Sequence, residues 1–310
     1  MRASCARRWT PPKWNAKKPP ERFTMREFEL LQPKTLPDAL DALAQNDAAR
    51  RPLGGGTDLL VDLRAKRVQP NVLIALQKVN ELRGVARVNG HVRVGASTPI
   101  AEFLKHPLLT PYRALHQAAS VFANPMIRNA GTIGGNIGSA SPAGDTLPPL
   151  LALDAQIELV SASGTRTLAL DDFFLGPRKT ARNANELIYA IQLPAKENSS
   201  ATRSCFYKLG LRQADAISLV SVAVWLAREG EKIRDVRIAL GAVAPRPLRA
   251  KRAEEILRGQ IFSETNLKEA ARIAAAECSP IDDLRASAKY RRRMVNVYTR
   301  RMLEQAWQNL

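Results

Sequence analysis

Two glycine-rich segments carry the residues of this chain that are best suited to chemistry. Their members are Leu53, Gly54, Gly55, Gly56, Thr57, Asp58 and Leu59 in the first, and Thr132, Ile133, Gly134, Gly135 and Asn136 in the second. Glycine leaves the backbone N–H groups uncovered, so such segments can donate hydrogen bonds to phosphate oxygens at close range. Either segment alone is typical of an ordinary turn. Two of them in one chain predict a large anionic cofactor that is held at both places.

A single carboxylate, Asp145, follows the second segment in a stretch that is otherwise almost free of charge. A carboxylate accepts hydrogen bonds from sugar hydroxyls and is poorly suited to lie beside phosphate. Flavin adenine dinucleotide (FAD) needs donors for its pyrophosphate, polar partners for its ribitol and ribose, and apolar cover for its ring. The two segments and Asp145 supply the first two of these, so the sequence favours FAD.

Other kinds of site are not supported by the sequence. Neither segment has the Gly-x-Gly-x-x-Gly spacing of a Rossmann site, and neither has the Lys-Ser/Thr of a P-loop. The three histidines, His91, His106 and His116, are more readily structural than catalytic. We therefore predict no catalytic residue and no metal site in this chain, as expected where the cofactor supplies the chemistry.

The three cysteines, Cys5, Cys205 and Cys278, lie far apart and form no Cys-x-x-Cys pair. This spacing argues for a reducing compartment and against an iron–sulphur cluster or structural zinc in the chain. No apolar run approaches the ~20 residues of a membrane-spanning helix. The sequence predicts a cytoplasmic protein without a membrane span.

The net charge of +18 allows a second class of function, binding to nucleic acid. The basic residues, however, cluster in residues 1–24 and near the C-terminus, whereas the region of the glycine segments is nearly neutral. This distribution indicates a basic tail and a solvated helix face more than a continuous groove. Aromatic residues make up only 5% of the chain, which leaves little surface on which bases could stack. A basic nucleic-acid-binding protein remains the alternative from another class.

The elements that must position the two segments divide into three parts. Residues 1–24 are basic, rich in proline and without periodicity, which predicts a disordered extension. Residues 25–198 form the predicted cofactor domain, with subdomains at about 25–82 and 83–198. After a polar linker at 195–200, strands followed by helices predict an α+β domain at 199–310. Both glycine segments are predicted as loops, the second within a longer one from Asn124 to Leu150.

Two local signals accompany them. Thr35 is predicted to cap a helix that precedes the first segment, and Asn89-Gly90 predicts a hairpin turn.

These residues, with several shorter motifs, resemble the FAD-binding medium subunit of molybdenum hydroxylases, the family of the carbon monoxide dehydrogenase medium chain and the xanthine dehydrogenase FAD-binding subunit. The resemblance extends from about residue 26 to at least residue 257. It implies an α+β fold, with a two-part FAD-binding domain of the vanillyl-alcohol-oxidase (PCMH) type followed by a C-terminal α+β domain. The motifs that carry it are the two segments above with Leu60 and residues 127–131, Ser141 to Asp145, Asp172 to Gly176, Glu186 to Ile188, Lys208 with Arg212, and Gly241 to Ala244.

The resemblance also implies a role for each site residue. Residues 53–59 would wrap the pyrophosphate with their amides, residues 132–136 would form a second wrap, and Asp145 would meet the ribitol or ribose hydroxyls. Ile188 would pack on the isoalloxazine ring. Lys208 would approach the polar edge of the ring, where a cation favours the reduced, anionic flavin.

The function that the resemblance implies is electron transfer within a complex. A molybdopterin-binding large subunit and a small subunit with two-iron clusters would be the partners, in a heterotrimer or its dimer. Electrons would pass through non-covalent FAD on this chain to an external acceptor. The segment from Asn136 to Asp145 has no cysteine, so no extra cluster is expected there. A stand-alone FAD-dependent oxidase is the alternative among enzymes, and the sequence specifies neither substrate nor final acceptor.

Overall fold

The computed structural model describes residues 26–44, 50–194 and 201–309 of the chain. The predicted extension at 1–24 and the predicted linker at 195–200 lie outside the described residues. The strands are β1 (Glu29–Leu31), β2 (Arg50–Leu53), β3 (Val72–Ala75), β4 (Val85–Val88), β5 (His91–Gly95), β6 (Gln156–Ser161), β7 (Gly164–Ala169), β8 (Phe174–Gly176), β9 (Lys179–Thr180), β10 (Leu187–Pro194), β11 (Thr202–Leu209), β12 (Val220–Glu229), β13 (Lys232–Gly241) and β14 (Leu248–Arg249). The helices are α1 (Leu36–Ala44), α2 (Leu59–Arg64), α3 (Arg113–Val121), α4 (Pro125–Ala130), α5 (Ile133–Ser139), α6 (Leu147–Ala152), α7 (Leu170–Phe173), α8 (Lys251–Leu257), α9 (Glu264–Glu277) and α10 (Ala288–Gln308), with short 3-10 helices at Asn80–Leu82 and Ile100–Leu104.

The first unit is a small parallel sheet in the order β1-β3-β2. All four residues of β3 are buried, as expected for the central strand of a parallel sheet. Helix α1 begins after Thr35, whose hydroxyl accepts a hydrogen bond from the Asp38 amide at 3.3 Å, and this agrees with the cap predicted there. Strand β2 ends at Leu53, so the first glycine segment leaves the carboxyl end of a strand.

The second unit is a five-stranded antiparallel sheet in the order β4-β5-β10-β6-β7. Its first hairpin turns at Asn89 and Gly90, with φ of 49° and 76°. Positive φ at both central residues is the requirement of a type I′ hairpin turn, and this explains why Asn-Gly predicts such a turn. One face of the sheet and helices α3, α5 and α6 enclose the main hydrophobic core.

The C-terminal unit is an antiparallel sheet in the order β11-β12-β13-β14 with helices α8, α9 and α10. Strand β12 is buried on both faces. Val222 and Val224 belong to the core beneath the helices, whereas Ala223 and Trp225 belong to the core of the preceding domain. Within the described ranges, no helix combines the length and apolar character needed to cross a membrane.

Ion pairs reinforce the contact between the two domains. Asp154 pairs with Arg237 at 2.8 Å and with Arg249 at 2.5 Å. Asp171 pairs with Arg246 at 2.6 Å and is also bonded by a lysine of α8. Burial alone would raise the pKa of Asp171, but the hydrogen bonds and positive charges of these two partners hold its pKa below the usual value. The domains are therefore joined by both apolar and ionic contacts.

The predicted fold class is confirmed, but the predicted loop between residues 124 and 150 is wrong in detail. Helices α4, α5 and α6 occupy it. Asn124 caps α4 by accepting from the Ile127 amide at 3.0 Å, and Thr132 caps α5 by accepting from the Gly135 amide at 3.0 Å. Glycine and proline are poor helix formers, so propensity favoured a loop. Caps and tertiary packing outweigh that propensity in these short helices.

Close packing of α5 against β5 generates a stability prediction. A Cβ on Gly134 would lie 2.6 Å from the Ala96 Cβ, whereas a Cβ on Gly138 would meet only the tip of Ile188 at 3.3 Å. We expect Gly134→Ala to lower the free energy of unfolding by about 1–3 kcal/mol through overpacking. Gly138→Ala, the matched control on the same helix, should cause no such loss. Urea unfolding of both variants measures this, and equal stability of the two would contradict it.

Candidate functional site

The two glycine segments, distant in sequence, touch each other directly. A Cβ on Gly55 would lie 1.7 Å from the carbonyl oxygen of Ala130, and a Cβ on Gly54 would lie 2.9 Å from Thr132 Oγ1. No side chain other than hydrogen fits at Gly55, because the obstacle is backbone. The segments therefore form one surface, at the junction of the first two units.

The first segment supplies a row of uncommitted donors. The amides from Gly54 to Leu59 donate to no described residue. The carbonyls turn the other way: that of Gly54 accepts from Gln77 Nε2 at 3.0 Å, and that of Gly56 accepts from the Leu60 amide at 3.1 Å. Gly56 has φ of 74°, in the left-handed region that glycine adopts without strain. Such a run of N–H groups is suited to bind an anion.

The second segment is a helix start and not the loop of bare amides that the sequence predicted. The amides of Ile133 and Gly134 donate to the carbonyls of Thr98 and Ala96 at 3.0 and 2.8 Å. The Gly135 amide donates to the Thr132 hydroxyl. Only the Thr132 amide donates to no described residue here. The glycines of α5 thus mainly allow close packing, and they add few free N–H donors to the site.

Helix α5 has an exposed face that is formed by glycine residues. Gly135 and Gly138 are exposed on it, and Gly138 is next to Ile188 on β10. Asn136 is half-buried, and its side-chain oxygen accepts from Thr146 Oγ1 at 2.6 Å, which fixes the amide group. Ile188 is only 9% exposed. The structure therefore places Ile188 beside Gly138 of α5, close after the second segment.

Asp145 and Lys208 form a buried pair that crosses the domain boundary. Asp145 Oδ2 lies 2.5 Å from Lys208 Nζ, and Asp145 Oδ1 accepts from Ser218 Oγ at 2.6 Å. Lys208 Nζ also donates to the Val121 carbonyl at 3.2 Å. Burial raises the pKa of Asp145, and the charge and hydrogen bond of Lys208, with that of Ser218, oppose the rise. Each carboxylate oxygen retains a lone pair for a further donor.

Arg178 is a residue of the site that the sequence analysis missed. It lies in the turn between β8 and β9 with φ of 56°, and its amide donates to the Ala140 carbonyl at the end of α5. Its guanidinium pairs with Asp62 on α2 and lies 3.7 Å from Asp58. Arg178 thereby links the helices that follow the two segments. The acidic pair of Asp58, the residue before α2, and Asp62 within α2 was the available signal, but Arg178 lies 116 residues after Asp62.

The residues present fit a dinucleotide with a flat ring system. Uncommitted amides lie at the first segment, polar groups lie at Thr132, Asn136 and Asp145, and apolar cover lies at Ile188. In the described part of the chain, no group of three or more histidine, cysteine or acidic side chains is placed to hold a metal ion.

Comparisons with known proteins agree with this geometry. Residues 26–196 match the family described as FAD binding domain in molybdopterin dehydrogenase, and residues 205–306 match the CO dehydrogenase flavoprotein C-terminal domain. The glyceraldehyde dehydrogenase medium chain of Sulfolobus acidocaldarius is 34% identical over 274 residues, which are 88% of this chain and 96% of that relative. The carbon monoxide dehydrogenase medium chain of Hydrogenophaga pseudoflava is 33% identical over 281 residues, 90% of this chain and 97% of the relative.

A solved structure extends the likeness to three dimensions. A chain of carbon monoxide dehydrogenase from Hydrogenophaga pseudoflava superposes with a TM-score of 0.88 at 33% identity, over 92% of this chain and 99% of that one. The family predicted from the sequence motifs is thus confirmed. The chain belongs to the family of FAD-binding flavoprotein subunits of molybdopterin dehydrogenases.

Proposed function

We propose that this chain is the FAD-carrying electron-transfer subunit of a molybdenum hydroxylase. The observation that carries the proposal is the direct contact between Gly55 and the Ala130 carbonyl, which joins two segments into one surface with uncommitted amides. An oxidoreductase role fits a site whose described residues are suited to binding, since a bound cofactor would supply the redox chemistry. The confirmed family supports the same conclusion.

Each part of the site has a distinct task in this proposal. The amides of residues 54–59 and of Thr132 hold the pyrophosphate. Asp145 and Asn136 would orient the ribitol of FAD by hydrogen bonds, and Ile188 would pack on the isoalloxazine ring. Lys208 contributes positive charge near the ring, reduced by its pairing with Asp145. FAD held by these residues would supply one-electron and two-electron transfer, which suits a link between a one-electron donor and a two-electron acceptor.

The assembly is proposed from the relatives. Two of them are called medium chains, a term for one subunit among several. We infer that this chain assembles with a molybdopterin-binding large subunit and a small iron–sulphur subunit, as a heterotrimer or its dimer, in the cytoplasm. The substrate would then be bound by another chain of the complex.

The first test of the proposal is flavin binding without turnover. The purified full-length chain should bind about one equivalent of non-covalent FAD, seen as a yellow protein that releases its flavin on denaturation. It should oxidise no substrate unless the partner subunits are added, because in this proposal another subunit binds the substrate. A colourless protein after incubation with excess FAD would contradict the proposal. Substrate oxidation by the chain alone would favour a stand-alone oxidase.

The contact between the segments can be tested by Gly55→Ala. The added Cβ meets the Ala130 backbone and must separate the segments, so we expect FAD affinity to fall at least about tenfold, or ~1.4 kcal/mol. Gly230→Ala is the control: its φ of 56° strains an alanine locally, but it lies in a distant hairpin with nothing within 4 Å of an added Cβ, so FAD affinity should not change. FAD titration measures both variants. Equal affinity of Gly55→Ala and Gly230→Ala would refute the importance of this contact.

The buried pair requires a double-mutant design. Asp145→Ala or Lys208→Met alone leaves an unpaired buried charge and should destabilise the fold by about 3–5 kcal/mol. The double variant Asp145→Leu/Lys208→Met should be more stable than either single variant, because no unpaired charge remains. Its FAD affinity then reports the role of the two side chains separately from folding. A stable double variant with unchanged FAD affinity would remove both residues from the binding site.

A further inference from the structure

Arg291, near the start of α10, is a buried cation outside the site described above. It is only 2% exposed. Its Nη1 donates to the Leu219 carbonyl at 2.6 Å and to the Ala242 carbonyl at 3.3 Å, and its Nη2 donates to Asp283 Oδ1 at 2.9 Å. Leu219 directly precedes β12, and Ala242 directly follows β13. One side chain therefore joins α10 to the ends of the two central strands of the C-terminal sheet.

Both carbonyls belong to segments that contact the loop of Asp145. Ser218 precedes the first of them in sequence, and its hydroxyl donates to Asp145 Oδ1 at 2.6 Å. The Ala242 amide donates to the carbonyl of Pro142, three residues before Asp145, at 2.7 Å. Arg291 is thus connected to the Asp145 loop by two separate routes. One route ends on the carboxylate itself, and the other ends on the backbone that carries it.

The second route passes through a strained residue. Ala242 has φ of 62°, in the left-handed region that alanine rarely adopts. Such a conformation persists where the surroundings hold it from several sides. Here the carbonyl of Ala242 accepts from Arg291 while its amide donates to Pro142. The guanidinium therefore helps to hold the conformation that brings the Ala242 amide to the Asp145 loop.

Stability alone does not account for an arginine at this position. The Nε of Arg291 is buried and has no hydrogen-bond partner among the described residues. A cation so near the start of a helix also opposes the helix dipole. Features that cost stability in this way are often found at functional sites. We propose that Arg291 is a positioning residue, which holds the loops on either side of Asp145 so that its carboxylate is aligned for the flavin. This inference rests on the proposed function, in which Asp145 binds FAD.

Substitutions of Arg291 in the full-length chain test the proposal. Arg291→Lys keeps the buried charge but loses the planar fork of donors, and Arg291→Met loses both. We expect FAD affinity to fall about threefold in Arg291→Lys and about tenfold in Arg291→Met. Val295→Ala is the matched control, one turn further along α10 in the core beneath the helices. It should lower the urea midpoint by creating a cavity and leave FAD affinity within about twofold.

The route through Asp145 is tested in the double variant Asp145→Leu/Lys208→Met, which lacks the carboxylate. Adding Arg291→Lys to it should change FAD affinity no further, because nothing remains to be positioned. The same threefold loss in both backgrounds would overturn the proposal. If the double variant binds no FAD, the comparison of Arg291→Lys with Val295→Ala decides.

The remaining outcomes separate this proposal from the one on which it rests. Equal losses of FAD affinity in Arg291→Lys and Val295→Ala would overturn the role of Arg291, because they would report a general loss of stability. Unchanged FAD affinity in Arg291→Lys and Arg291→Met would overturn it as well. If Arg291→Met does not fold, Arg291→Lys alone carries this comparison. Absence of FAD binding to the unsubstituted chain would instead refute the proposed function, and the role of Arg291 with it.

Discussion

The absence of a Cβ at Gly55 is the constraint on which the site depends. Contact between its Cα and the Ala130 backbone sets the distance between a parallel sheet and an antiparallel one, whose strands share no ladder. Gly134 makes a second close contact of this kind, because its lack of a Cβ lets α5 pack directly against Ala96. These two contacts align the end of β2 with the start of α5. The uncommitted amides of the first segment and of Thr132 are neighbours because the backbones that carry them are in contact.

Electrostatics complete what the backbone contact begins. The second unit provides Asp145, and the C-terminal unit provides Lys208 and Ser218, so the carboxylate is satisfied only when both domains are assembled. Burying two charges costs solvation free energy, which the pair regains only through short, well-satisfied hydrogen bonds. Arg178 acts similarly between α2 and the end of α5. The site is therefore built by three units of the fold and belongs to none of them alone.

Features that depend on neighbouring residues could be predicted from the sequence, whereas features that depend on distant residues could not. The Thr35 cap and the Asn89-Gly90 turn are encoded by neighbouring residues, and both were predicted correctly. Helices α4 to α6 were missed because their glycines and prolines disfavour a helix locally, and packing against β5 and the C-terminal sheet supplies the missing stability. The glycine motifs identified the family. Their hydrogen bonds were not visible, because Ile133 and Gly134 donate to carbonyls more than 30 residues earlier.

Ion pairs between residues that are distant in sequence could not be predicted, for a different reason. Lys208 and Asp145 are separated by 63 residues, and a basic chain offers many other arginines and lysines as partners. Composition cannot select among them, since only the fold decides which carboxylate each cation meets. The motif resemblance assigned both residues to the flavin site, and the structure shows that they also form an ion pair with each other.

Strand β12 has a consequence for how such chains can diverge. Its alternate residues belong to two different cores, with Val222 on one side and Ala223 and Trp225 on the other. The C-terminal half is thus not an independent module that recombination could exchange freely with a homologue. A C-terminal half taken from a homologue would place different side chains against the core of the preceding domain, which here packs against Ala223 and Trp225. Inheritance of the two halves as a matched set is the outcome that this geometry favours.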